Sequence, residues 1–338
     1  MSAPLVLCVV AKGSLHDGTV DLLDRCFIPI KRGGKTRSYA ARMGGLRDVE
    51  VLLSRADEIP DLIASGQAHA GITGLDLVSE ANAEPGAAPR VAVVIDDLGF
   101  GRADLVVGVP AVWLDVVTLG DLIEVAADIR HTHGRVLRVA TKFPNLTRSY
   151  FGQAGFTDYR IVASLGATEG APKVGTADII VDLTSTGATL VSNDLKQIER
   201  GRALRSQACL VGAADPSVWQ PTRRQAFTQV IDLIESALAA EETRVVRAHF
   251  ADADAGPECR AALDAVLLDS AWIEADHGTE LDGHLAIADV HQVLRLLREF
   301  AAVTAVIEAV DLMVRPTHHY AEAFFAGVDR VAGVDAVP

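Results

Sequence analysis

Aromatic residues are few, with Phe, Trp and Tyr together making up 5% of 338 residues. Aliphatic side chains and Ala dominate instead, yet no uninterrupted apolar run reaches the eighteen or so residues that a membrane-spanning helix needs. That excludes a helical membrane protein and predicts a globular, soluble one. Cysteine is equally sparse: Cys8, Cys26, Cys209 and Cys259 lie far apart and form no CxxC. Neither a disulfide framework nor a zinc site is suggested, and buried thiols are expected. Basic residues are outnumbered, leaving a net charge of −14, which argues against a broad nucleic-acid surface. The first ten residues are a short apolar run without a basic region before it, so a first strand is read there and a cytoplasmic location is expected. His131 and His133 are two apart and His318 and His319 adjacent, so neither pair shares a helix face as zinc ligands would. No GxSxG stands at a strand end to support a serine nucleophile.

The chain has the length for two or three domains with real cores. Its first part alternates short apolar strands with helical spacing: strands over 4–10, 48–54 and 69–73, with helices over 19–26 and 57–65. This predicts βαβ units and a parallel sheet. Two further strands, over 91–97 and 103–109, flank Leu98-Gly-Phe-Gly101. Helices over 118–132 and 143–153 enclose a strand over 135–141; a strand over 206–212 and a long helix over 222–240 follow. The basic stretch Lys31-Arg-Gly-Gly-Lys-Thr-Arg37 reads equally as a mobile anion-binding loop or as a solvated surface loop.

The most informative stretch is Asp182-Leu-Thr-Ser-Thr-Gly-Ala-Thr-Leu190, which follows the β-branched run 177–181. Thr184, Ser185, Thr186 and Thr189 offer hydroxyls, and Gly187 lets successive N–H groups turn toward one anion. A helix expected from Leu190 would add its positive N-terminal end. An ordinary strand-to-helix turn uses the same residue types. The preceding residues shift the balance. The whole run, Glu-Gly-Ala-Pro-Lys-Val-Gly-Thr-Ala-Asp-Ile-Ile-Val-Asp-Leu-Thr-Ser-Thr-Gly-Ala-Thr-Leu from Glu169, resembles the signature of the ATP phosphoribosyltransferase family, which opens histidine biosynthesis. Residues 55–60, 71–76 and 138–151 resemble it as well.

The resemblance implies a fold and a chemistry. The fold is α/β, a two-lobed type II periplasmic-binding-protein-like catalytic core plus a C-terminal α+β, ferredoxin-like domain. One lobe would take residues 1–97 with 196–240, the second 98–195 with a hinge near Asp97 as in the family's crossing segment, and a regulatory domain 243–325. The substrates would be ATP and phosphoribosyl pyrophosphate, with Mg2+ neutralising the departing pyrophosphate and no dedicated protein ligands for the metal. Glu169 and Asp182 are the expected catalytic pair; Asp182, Thr184, Ser185, Thr186, Gly187, Ala188 and Thr189 would hold phosphoribosyl pyrophosphate. Lys12, Gly13, Gly99, Phe100, Lys142, Arg148 and Lys173 would meet ATP or pyrophosphate. Histidine and AMP are the expected inhibitors, and a homodimer assembling to a homohexamer the expected state, with no nucleic-acid or membrane partner.

Two departures from the family pattern stand out. Ser14 follows Lys12-Gly13 where the family has arginine, and Ala103-Asp104 replaces Cys-Arg. Arg102, Arg32 and Arg37 are candidates to make up the charge. A diverged phosphoribosyltransferase with another acceptor, or a non-catalytic two-lobed binding protein, are the rival readings. From residue 243 the pattern suggests strand 244–250, helix 257–268, strand 272–275, helix 288–300 and strand 303–314, a βαββαβ outline.

Overall fold

The computed structural model describes residues 4–32, 40–83, 88–164, 166–251, 255–314 and 316–331. Most of the expected basic loop, residues 33–37, therefore lies outside the described residues. The described chain divides into two compact units, one of Met1–Val20, Ile30–Ala226 and Ala323–Pro338, the other of Asp21–Pro29 and Phe227–Glu322.

In chain order the elements begin with β1 (Leu5–Val10), α1 (Ser14–Arg25), β2 (Ile30–Arg32), β3 (Ala40–Met43), β4 (Val49–Ser54), α2 (Ile59–Ala64), β5 (Ala70–Gly74), α3 (Leu75–Asn82) and β6 (Val91–Ile95). They continue with β7 (Ala103–Pro110), α4 (Leu119–His133), β8 (Leu137–Thr141), α5 (Pro144–Gln153), β9 (Tyr159–Ala163), β10 (Ile179–Thr184), α6 (Ala188–Ser192), β11 (Leu195–Ser206), β12 (Ala208–Ala213) and α7 (Pro221–Glu241). The last part holds β13 (Thr243–Phe250), α8 (Pro257–Asp264), β14 (Asp269–Ala275), β15 (Gly278–Ala286), α9 (Val290–Glu299), β16 (Thr304–Ala309) and α10 (His319–Val331).

The first unit contains two sheets. In one the order is β2-β3-β4-β1-β5-β12-β6, in the other β11-β7-β10-β8-β9. β4, β1 and β5 run parallel, and so do β10, β8 and β9. Each sheet also accepts one antiparallel strand directly after the chain has crossed from the other: β7 beside β10, and β12 beside β5. That double crossing is the type II periplasmic-binding-protein arrangement. Both crossings lie side by side, because the Leu98 amide donates to Ala208 O at 3.0 Å and the Ala208 amide to Phe100 O at 2.9 Å. β1, β5, β8 and the first half of β10 are buried on both faces, as their apolar runs require, whereas β4 and β9 are only partly covered. Leu105, Val107, Val139, Phe151, Phe156 and Ile179 form the core of the second sheet.

In the second unit β13 to β16 make an antiparallel sheet of order β14-β15-β13-β16. With α8 and α9 this is the βαββαβ ferredoxin-like order. Val246, Ala248, Phe250, Leu281 and Leu285 pack with Leu263, Val293 and Leu297.

Several elements differ from the sequence expectation. α1 starts at Ser14, five residues before 19. β2, β3, β9, β11 and β15 had no counterpart, nor did α3 and α10, and β16 stops at Ala309, well short of 314. β10 runs on to Thr184, and the helix expected from Leu190 is α6, five residues beginning at Ala188. A helix of little more than one turn offers only a weak dipole to an anion. All four cysteines are buried, and burial pushes the Cys8, Cys26 and Cys209 thiols up to about 12. Among the described residues no helix is long and apolar enough to cross a membrane.

Candidate functional site

β10 emerges from the second core between β8 and β7. Burial is complete through Val181 and then relaxes: Asp182, Leu183 and Thr184 are half-buried, while Ser185, Thr186, Ala188 and Thr189 are exposed. The chain reverses at Gly187, whose φ of 75° is left-handed and whose Cβ position is open space, so glycine is required there by the backbone alone. The Gly187 amide donates to Thr184 Oγ1 at 2.9 Å, which ties the loop to the end of its own strand. The hydroxyls and amides of 184–189 thus crown the carboxyl end of the sheet's central strand.

Asp182 stands at the foot of this loop, and the sheet register determines its company. Val181 pairs with Thr141 of β8, so Lys142, the next residue, comes level with Asp182. Thr168 and Glu169 arrive from a 3-10 turn, Thr168–Gly170, after β9. Burial pushes the Asp182 carboxyl above its ordinary value. The Leu183 amide, at 2.9 Å, the Lys142 charge and the Thr168 hydroxyl oppose that shift, while the Glu169 charge reinforces it. Four groups therefore converge: two carboxylates, one ammonium and one hydroxyl. Such a set suits hydroxyls of a sugar and a positive charge developing beside them.

Lys12 and Gly13 occupy the exposed turn between β1 and α1, at the carboxyl end of the first sheet's strands. Gly99 and Phe100 belong to the first crossing. α1, which follows Lys12 and Gly13, rests on that crossing: a Cβ on Gly18 would lie 2.3 Å from Phe100 Cδ2 and one on Gly101 2.6 Å from Leu15 Cδ2. Two expected residues are engaged elsewhere. Lys173 pairs with Asp194 at 3.4 Å, and Arg148 donates to Asn145 Oδ1 at 3.1 Å.

Two cavities adjoin these groups. One of about 540 Å³ is lined by Arg55, Glu80, Arg90, Lys142, Asn145 and Ser164, among others. The other, about 450 Å³, has Ser185 of the loop beside Arg102, Arg202, Arg205, Asp97 and Asp104. Arg102 was anticipated, whereas Arg202 and Arg205 lie on β11, a strand the sequence did not reveal. Asp104, at one of the departures from the family pattern, accepts from Arg202 Nη1 at 3.0 Å. Arg55 and Glu80 sit in segments that resemble the family or adjoin them, and their positions next to strand and helix ends were the available signal.

Comparison with known proteins bears on the whole chain. The family described as ATP phosphoribosyltransferase matches residues 55–236. The ATP phosphoribosyltransferase of Bradyrhizobium diazoefficiens is 41% identical over 92% of this chain and 94% of its own. That of Afipia carboxidovorans is 40% identical over 96% of this chain and 99% of its own. A solved ATP phosphoribosyl transferase (HisG:HisZ) complex from Thermotoga maritima superposes with a TM-score of 0.49 at 22% identity, covering 68% of this chain and 96% of that one. By the family match and the extent of its curated relatives, the chain belongs to the ATP phosphoribosyltransferase family.

Proposed function

We propose that this chain transfers the 5-phosphoribosyl group of phosphoribosyl pyrophosphate to N1 of the adenine of ATP. The N1–C1′ bond forms, the C1′–O bond to pyrophosphate breaks, and pyrophosphate leaves with the bonding pair. The observation that carries the reading is the convergence of Asp182, Glu169, Thr168 and Lys142 at the foot of the Thr184–Thr189 loop. In this role the loop hydroxyls and amides hold the 5′-phosphate. Asp182 and Glu169 take the ribose hydroxyls and face the positive charge that grows on the anomeric carbon, and Lys142 meets phosphate. Lys12, Gly13, Gly99 and Phe100 line the ATP side, joined by Arg148; Lys173 requires release from Asp194 to take part. Mg2+ would neutralise charge on the leaving pyrophosphate and would arrive with that diphosphate; this reading gives it no dedicated protein ligands, and the nearby Asp182 and Glu169 oxygens are of the hard type that suits it.

The lobes 1–97 with 196–240 and 98–195, and a regulatory 243–325, are part of the proposal. So are histidine and AMP as inhibitors, a homodimer or homohexamer, and a cytoplasmic location. The net charge of −14 supports the absence of a nucleic-acid partner. Purified protein with ATP, phosphoribosyl pyrophosphate and Mg2+ should yield phosphoribosyl-ATP, and added histidine should suppress it. Binding of phosphoribosyl pyrophosphate without that product would favour another acceptor, the reading that Ser14 and the Asp104–Arg202 pair support.

A further inference from the structure

α3 follows β5 in the first sheet's half of the chain, yet two of its carboxylates are held by groups beyond that sheet. Asp76 and Glu80 are four residues apart and share one helix face. Asp76 is 6% exposed and accepts the Ser206 hydroxyl at 2.5 Å, while its own amide donates to Ser206 Oγ at 3.0 Å. Ser206 ends β11, immediately before the return crossing. One turn further along, Glu80 accepts the Asn145 amide on Oε1 at 2.8 Å and the Leu146 amide on Oε2 at 2.9 Å. The Asn145 side chain donates back to the Glu80 carbonyl at 3.3 Å. Those amides open α5, where a carboxylate is favoured by charge-assisted bonding and by the helix dipole. Lys142 stands three residues before Asn145, and Glu80, Asn145 and Lys142 all line the larger cavity.

We infer that α3 is a brace between the two lobes, with Asp76 its fixed anchor at the crossing and Glu80 a releasable latch that sets cleft closure and keeps Lys142 against Asp182. Asp76 is sealed from solvent, whereas Glu80 borders a cavity from which water can replace it. Glu80 is thus a positioning residue; its effect on activity rests on the phosphoribosyl-transfer reading, its effect on the lobes does not. Substrates that close the cleft themselves compensate for a lost latch at saturation, so the penalty falls on binding.

The full-length protein is compared with Glu80→Ala and Glu80→Gln by amide hydrogen exchange over 143–150, thermal midpoint, and KM and kcat for both substrates. In Glu80→Ala, exchange at Asn145 and Leu146 should speed at least tenfold and both KM values rise about tenfold, with kcat within twofold; Glu80→Gln, keeping one acceptor, should fall between. Unchanged exchange or unchanged KM overturns the latch. So does a variant that loses kcat in proportion to its thermal midpoint, which would mark general destabilisation. If the unaltered protein makes no phosphoribosyl-ATP, the reaction assignment fails while the exchange data still decide the brace.

Discussion

Asp182 is held by opposing influences: burial and Glu169 favour its neutral form, while Lys142, Thr168 and the Leu183 amide favour the carboxylate. Asp182→Asn keeps shape and hydrogen bonding but removes the charge, and kcat should fall about 10²- to 10³-fold, the range seen when one electrostatic stabiliser is lost. Because burial raises the carboxyl, the acid limb of the rate profile should lie higher than for a solvated aspartate, as a pH series of kcat would reveal. His69 gives a second pH effect, on stability. Its ring is 6% exposed, and Nδ1 accepts the Val6 amide at 2.8 Å. Burial, with help from the Arg223 charge, lowers its pKa to about 4. The folded state thus binds this proton less readily than the unfolded chain, whose value is about 6.5. The stabilisation is complete above that value and is lost as pH falls toward 4; urea titrations at pH 7.5 and 4.5 should differ by about 2 kcal/mol more than in His69→Gln. Asp182 and Glu169 were legible from sequence because they sit in a matched motif. Their neighbour Thr168 was not, since nothing in its residue type separates a bonded hydroxyl from a solvated one.

At the level of elements, the loop depends on Gly187. Gly187→Ala meets no atoms but must hold φ near 75°, costing about 1 kcal/mol. The thermal midpoint should therefore drop by only a few degrees while KM for phosphoribosyl pyrophosphate rises several-fold. If KM stays put, the loop does not cradle the phosphate. β1, β5, β8 and β10 were readable because burial on both faces leaves runs dominated by apolar residues, as in 177–181, whereas the parallel strand β9, nowhere fully buried, was not. β11 escaped notice because Leu195–Ser206 is an edge strand rich in Lys, Arg and Glu, broken by Arg200 at φ 55°. β15 escaped for a related reason: Thr279, Leu281, Gly283 and Leu285 face inward, but Glu280, Asp282 and His284 alternate with them. Missing β11 also hid Arg202 and Arg205, so two of the three arginines lining the smaller cavity were invisible until the strands were in place.

For the molecule as a whole, the first unit is assembled from segments far apart in sequence. Trp219 is covered by Phe324 and Phe325 of α10, each ring 5.4 Å away and edge-on, and the Arg224 guanidinium lies 4.3 Å from the Phe325 ring. Phe325 is 7% exposed, so Phe325→Ala should cost about 3 kcal/mol, lowering the urea midpoint and shifting tryptophan emission to the red. An unchanged midpoint would mean that this contact is dispensable.

That arrangement also bears on how the protein is made. A growing chain that has already emerged as far as Trp219 must wait for the ribosome to add more than a hundred residues before Phe324 and Phe325 arrive to cover it. During that interval an apolar surface on the nascent first unit is open to chaperones and to other nascent chains. Stalled or truncated products should therefore aggregate or be degraded, rather than accumulate as a shorter, working transferase.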